Sequence, residues 1–130
     1  MKYFLIIFPV LAIIACRGIS TLHDYPEGRG LKSLASSEEV YLTSAKDTGG
    51  CKITRIADVR VSSKTYGGAS RVNAALRKLA RQKGGNAVLD YSFWVAPNGG
   101  AWAAPHCKGM VVSADLNCLK MHTEPVPGSE

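Results

Sequence analysis

The stretch "SRVNAALRKLARQKGGNAVLDYSFWVA", residues 70–96, decides the fold because its hydrophobic period changes in the middle. Over residues 70–85 the apolar side chains recur at helical spacing, and Gly84 is a suitable place for a helix to stop. Over residues 86–96 they alternate strictly, as in a strand with one buried face. The stretch therefore predicts an amphipathic helix followed directly by a strand.

Segments on both sides of this unit predict three more strands. Residues 39–44 alternate and are rich in strand formers, and residues 51–62 predict a strand with a bulge, because its two isoleucines fall out of phase. Residues 106–116 predict a last strand after a Gly-rich hairpin turn at 97–105. The order strand, strand, helix, strand, strand predicts an α+β fold, with one helix packed on one face of a small sheet of about four strands.

The chain opens with an apolar run of about 12 residues, 3–14, which is shorter than the roughly 20 residues of a membrane-spanning helix. The run ends in "IIAC", and this sequence resembles a bacterial lipobox, in which the thiol of Cys16 is acylated and the chain is cut before it. We therefore expect residues 1–15 to be a lipoprotein signal peptide. Arg17 stands where lipobox proteins retained in the inner membrane have Asp, so the outer membrane is favoured.

The remaining residues predict a single domain with loose ends. Residues 16–38 contain scattered Gly, Ser and Pro without a sustained period, and we interpret them as a flexible, lipid-anchored tether. Residues 39–121 form the predicted periplasmic domain, and residues 122–130 are interpreted as a disordered tail. The formal net charge of the full chain is +6.

Export would place the domain in an oxidising compartment, where thiols tend to pair. Besides Cys16, the chain contains Cys51, Cys107 and Cys118. Cys107 and Cys118 lie near opposite ends of the last predicted strand, too far apart for a disulfide while that strand is extended. Cys51 is within reach of both cysteines, so either pairing is open. We prefer Cys51–Cys107, which would leave Cys118 as a free or redox-active thiol.

With the lipobox, the sequences "GGCK", "ALRKLARQKGGNAVLDY" and "PHCKG" are similar to the RcsF family of outer-membrane lipoproteins and to small bacterial lipoproteins thought to share its fold. The similarity covers roughly residues 39–117. It implies a periplasmic domain that acts in envelope-stress signalling. It also implies that Cys51 and Cys107 match one of the two family disulfides, whereas Cys118 has no counterpart.

Catalytic and metal chemistry find little support in the sequence. His106 and Cys107 are adjacent on a predicted strand, so their side chains should point to opposite faces, and we assign no catalytic residue. His23 and His122 lie in the predicted tether and tail, and no C-x-x-C or H-x-x-x-H spacing occurs. We therefore expect no metal and no cofactor.

The basic face of the predicted helix and one loop aromatic are the candidate contact residues. Arg77, Lys78 and Arg81 lie opposite the apolar stripe, and Trp102 lies in the 97–105 turn. Export excludes nucleic acid as a partner and favours lipid headgroups or an acidic protein. We expect a non-enzymatic, lipid-anchored periplasmic domain that contacts envelope proteins. The alternative is a small-molecule or glycan-binding lipoprotein that uses the aromatic 97–105 loop.

Overall fold

The computed structural model describes residues 18–127, which form a mixed five-stranded sheet with a helix on each face. The strands are β1 Gly18–Asp24, β2 Tyr41–Leu42, β3 Ile53–Ser62, β4 Ala87–Asn98 and β5 Ala101–Ala114; the helices are α1 Ala69–Gln82 and α2 Leu116–His122, and Pro26–Gly28 is a short 3-10 turn. The sheet order is β1-β3-β5-β4-β2, antiparallel except for β2 beside β4. The predicted α+β class is confirmed, but the sheet has five strands instead of four.

Helix α1 forms as its hydrophobic period predicts. Val72, Leu76 and Ala80 are buried against one face of the sheet. The helix ends in a Schellman motif: Gly84, at φ +88°, donates its N–H to the carbonyl of Arg81, and Gly85 donates to that of Ala80. A left-handed glycine at this point turns the chain directly into β4.

The bulge predicted in the second long strand is present in β3. Its register against β5 shifts between Arg55 and Ala57, which leaves Ile56 as the extra residue. As a result Ile56 packs in the cluster under α1, whereas Ile53 packs in the cluster on the opposite face. The bulge therefore lets one strand supply an isoleucine to each face.

Helix α2 covers part of the second face, and the sequence analysis did not predict it. Asp115 caps the helix by accepting a hydrogen bond from the backbone N–H of Asn117, 3.0 Å away. Leu119 is fully buried with Leu89 and Val112. Within residues 18–127, no helix combines the length and the apolar composition needed to cross a membrane.

The prediction of a flexible tether over residues 16–38 is wrong for most of that segment. β1 pairs with β3 from Gly18 opposite Ser62 to Asp24 opposite Ala57, and the chain then continues against β3 through the buried Gly28. β1 forms because the backbone N–H and C=O groups on the outer edge of β3 need hydrogen-bond partners, which β1 supplies. Cys16 and the predicted signal peptide lie outside the described residues.

The prediction of a disordered tail over residues 122–130 is also wrong where the structure describes it. His122 is the last residue of α2, and Tyr41 Oη lies 3.0 Å from Thr123 Oγ1. Farther along, the N–H of Val126 donates to the carbonyl of Leu42 at 2.9 Å. The segment therefore lies along β2; residues 128–130 are outside the described part of the chain.

Candidate functional site

The β4–β5 hairpin, which contains the predicted 97–105 loop, is more regular than the sequence indicated. β4 runs to Asn98, β5 starts at Ala101 opposite it, and Gly99 and Gly100 make the turn. Gly99 has φ +59°, a conformation that glycine adopts without strain. The prediction of a long loop is therefore wrong, because cross-strand pairing keeps the alanines and Pro105 extended despite their weak strand propensity.

Large apolar side chains are exposed along this hairpin and on the neighbouring 63–68 segment. Their exposed fractions are 76% for Trp102, 54% for Val95, 52% for Tyr66 and 38% for Phe93. The rings of Tyr66 and Trp102 meet edge to face with centroids 6.5 Å apart. Trp102 is thus an exposed aromatic residue on β5, and its ring contacts the ring of Tyr66.

The outer edge of β4 is open beyond Tyr91, whose N–H donates to the carbonyl of Thr43. Val95 lies opposite Pro105, and the Pro105 carbonyl accepts the N–H of Ser63 on the far side of β5. The backbone groups of Val95 therefore point away from β5. Within residues 18–127, β4 pairs only with β5 and β2, and β2 reaches no farther than Val88 in the pairing register. This edge is available to another polypeptide.

On the sheet face away from α1, Trp94 stacks on His106 with centroids 5.4 Å apart, and Arg60 lies 5.1 Å from the Trp94 ring. His106 is buried; its Nδ1 lies 2.7 Å from Ser62 Oγ and its Nε2 3.2 Å from the Ala96 carbonyl. A carbonyl accepts only, so Nε2 carries the proton and Nδ1 accepts from Ser62 when the ring is neutral. The His106 ring has a structural role in holding β3 to β5 and Trp94.

The three helix cations predicted as contact residues are divided between two grooves. Arg77 and Arg81 line a groove of about 730 Å³ together with Lys120 from α2 and the apolar Val40 and Leu42; we call this the basic groove. Lys78 lines a second groove of about 500 Å³ beside β1. Neither groove is lined by Trp102.

The cations of the basic groove also hold the chain together. Arg81 Nε donates to the Glu38 carbonyl at 2.8 Å, and Arg77 Nε donates to the Val40 carbonyl at 3.4 Å. Lys120 Nζ lies 2.8 Å from Glu39, an exposed ion pair that contributes little to stability. Both arginines therefore fasten the segment before β2 to α1.

The predicted disulfide Cys51–Cys107 is wrong. Cys51 pairs with Cys118, with Cα atoms 5.9 Å apart. Cys107 is a buried free thiol under α1, so the prediction of a redox-active Cys118 fails as well. The sequence left both partners of Cys51 within reach, and the structure decides between them, because β5 ends at Ala114 and α2 then brings Cys118 back to Cys51.

The buried thiol has no chemical activation. Burial raises the pKa of Cys107 to about 12, so the group stays protonated at neutral pH. Its sulfur lies 3.7 Å from the carbonyl of Val72, to which it can donate. The His106 ring is on the opposite face of the sheet, as the alternation of a strand predicts. The pair does not form a nucleophile and base.

One group of potential metal ligands was missed by the sequence analysis. The donor atoms of Cys51, Cys118 and His122 lie within 4.8 Å of one another. Cys118 and His122 are four residues apart on α2, and this spacing would have signalled the pair had the helix been predicted. In the disulfide form the two sulfurs are bonded to each other and supply no thiolate ligand.

Comparison of the chain with known protein families, curated proteins and solved structures found no match.

Proposed function

We propose that this chain is a non-enzymatic domain of the bacterial cell envelope. Acyl chains on Cys16 hold it to the outer membrane facing the periplasm, and it contacts other envelope proteins. Support for the anchor comes from the apolar leader that ends in "IIAC" and from the disulfide, which is typical of exported domains. The similarity of its motifs to RcsF-like lipoproteins supports a role in reporting envelope damage.

The observation that carries the protein contact is the basic groove. Three cationic side chains, Arg77, Arg81 and Lys120, surround an apolar floor, and Glu39 is the one carboxylate among its lining residues. An acidic segment of a partner would meet both charge complementarity and apolar surface there. Lys120 can turn from Glu39 to a partner carboxylate at small cost, because its present ion pair is exposed.

Intact mass of the protein extracted from membranes tests the anchor. We expect the chain to begin at Cys16, to carry acyl chains, and to gain the mass of two hydrogen atoms when a reductant supplies the electrons that cleave its single described disulfide. A full-length, unacylated chain recovered from the cytosol would overturn the proposal at its first step.

Cross-linking in cells tests the protein contact. Lys120→Glu reverses one charge of the basic groove, and we expect it to abolish a cross-linked species that the unmodified protein forms. Lys52→Glu is the matched control, since Lys52 is exposed and lies outside the lining of the groove. Equal cross-linking of both variants, with unchanged melting temperatures, would remove the groove from the proposal.

A further inference from the structure

The chain enters the described structure at the end of the sheet that carries the hairpin turn. Gly18 lies opposite Ser62, Ser62 opposite His106, and His106 opposite Trp94, so the four residues form one row across the sheet. Beyond this row lie the hairpin turn and the 63–68 segment. We call this region, from the row to the turn, the hairpin end.

The proposed lipid anchor is therefore attached close to the hairpin end. Cys16 precedes Gly18 by two residues, and two extended residues span at most about 7 Å. A tether of the predicted length would have let any face of the domain meet the membrane. With β1 starting at Gly18, the row that bounds the hairpin end begins within this short reach of the anchored residue.

The hairpin end has the side chains that a bilayer interface favours. Trp102 and Tyr66 are its two most exposed aromatic residues, and their edge-to-face contact presents them together. Val95 and Phe93 add exposed apolar surface on the adjacent strand. Tryptophan and tyrosine concentrate at headgroup depth because their rings are apolar at one end and polar at the other.

The charges of the hairpin end have one sign. Residues 62–72 and 94–106, which build it, contain no Asp or Glu, and their cationic residues are Lys64 and Arg71. Lys64 and Arg71 line the groove between β1 and α1, where Lys78 joins them. The nearest carboxylates along the chain, Asp58 and Asp90, lie four residues inward of the row. Such a surface is complementary to anionic lipid headgroups.

We propose that the hairpin end is a docking surface for the anionic leaflet of a bilayer. Trp102 and Tyr66 lie at headgroup depth, and Lys64 and Arg71 bind lipid phosphates. The inference rests on the proposed acylation of Cys16, and it assigns this end to lipid while leaving the basic groove for protein. A protein partner at the hairpin end is the competing outcome, and the site of the anchor favours lipid.

Fluorescence of the full mature protein in vesicles tests the proposal, because the chain has two tryptophans. Acylated protein is reconstituted into phosphatidylcholine vesicles, with or without phosphatidylglycerol, that contain lipids brominated near the headgroup. Trp94→Phe leaves Trp102 as the reporter, and Trp102→Phe leaves Trp94, which is half-buried against His106. We expect bromine to quench Trp102 at least about twofold more than Trp94, with a blue-shifted emission.

Charge reversal separates docking from simple tethering. The double variant Lys64→Glu/Arg71→Glu should lose the extra quenching of Trp102 in anionic vesicles. The double variant Lys46→Glu/Lys52→Glu, which reverses two exposed cations outside the hairpin end, should retain it.

Unquenched Trp102 in protein that floats with the vesicles would overturn the docking proposal and leave the anchor intact. A protein cross-link formed at position 102, together with unquenched Trp102, would assign the hairpin end to a protein instead. If the chain carries no acyl groups, the proposed function itself is wrong, and the intact-mass measurement detects this independently.

Discussion

Cys107 and Cys118 lie in separate hydrophobic clusters on opposite faces of the sheet. Cys107 packs under α1 with Val72 and Val111, whereas Cys118 on α2 packs with Cys51 and Leu119. The sheet itself separates the two sulfurs, so Cys51 can pair with only one of them. This placement leaves Cys107 as a buried free thiol and puts Cys118 in the disulfide.

The buried thiol should resist alkylation in the folded protein. At pH 8 we expect iodoacetamide to leave unreduced native protein unlabelled and to add one label after denaturation, because Cys107 is fully buried and its pKa is raised to about 12. Mass spectrometry of the labelled chain measures this. With Cys16 blocked by its acyl chain, three labels on denatured, unreduced protein, or a single label located on Cys118, would contradict the Cys51–Cys118 pairing.

The disulfide should contribute a large share of the stability. The bond closes a loop with a sequence separation of 67, for which the chain-entropy relation gives about 4 kcal/mol. Urea denaturation of Cys51→Ala/Cys118→Ala should show a loss of this order in the free energy of unfolding. Cys107→Ala keeps the disulfide, and its free energy of unfolding should fall by only about 1 kcal/mol because the substitution leaves a small cavity. Equal losses in the two proteins would contradict this account.

Alkaline pH should destabilise the fold through Cys107. Its pKa is raised from 9.0 to about 12 by desolvation, so between these values the unfolded state binds fewer protons than the folded state. The free energy of unfolding must then fall as the pH rises, by up to about 1.4 kcal/mol per pH unit. Cys107→Ala should show a shallower fall between pH 9 and 10 in chemical denaturation, and identical slopes would refute the assignment.

The buried pair Tyr91 and Asn73 should behave as one unit. Tyr91 Oη donates to the side-chain oxygen of Asn73, whose Nδ2 is buried and has no hydrogen-bond partner among residues 18–127. Tyr91→Phe removes the remaining hydrogen bond of the Asn73 amide and should lower the free energy of unfolding by about 1–3 kcal/mol. Adding Asn73→Leu should restore part of that loss, because no buried amide is then left unpaired. Denaturation midpoints of the four proteins give the coupling, and strict additivity would exclude it.

Gly28 tests whether the N-terminal segment is part of the domain. A Cβ at this position would lie 2.6 Å from the Cα of Ile56 and 2.8 Å from the carbonyl of Arg55. Gly28→Ala should therefore cost about 1–3 kcal/mol through overpacking against β3. Gly100→Ala is the control, since nothing lies within 4 Å of its Cβ and its φ is not positive. Equal thermal stability of the two variants would mean that the segment does not pack on β3.

The sequence alone determined the central unit of this protein. The helical period over residues 70–85 and the alternation that follows reappear as α1 and β4, because local hydrophobic spacing and a left-handed Gly84 suffice to specify them. The bulge in β3 was predicted for the same reason, since two out-of-phase isoleucines must face different sides. The basic residues at 77 and 81 were identified, but their carbonyl partners were not.

Tertiary structure decided the rest. β1 has no strong period of its own and forms because the edge of β3 needs hydrogen-bond partners, which no local pattern reports. The disulfide depends on which face of the sheet each cysteine occupies, because Cys51 and Cys118 lie on the face that α2 covers and Cys107 lies under α1. Contacts between segments distant in the chain therefore set both the bridge and the end of the sheet at which Gly18 lies.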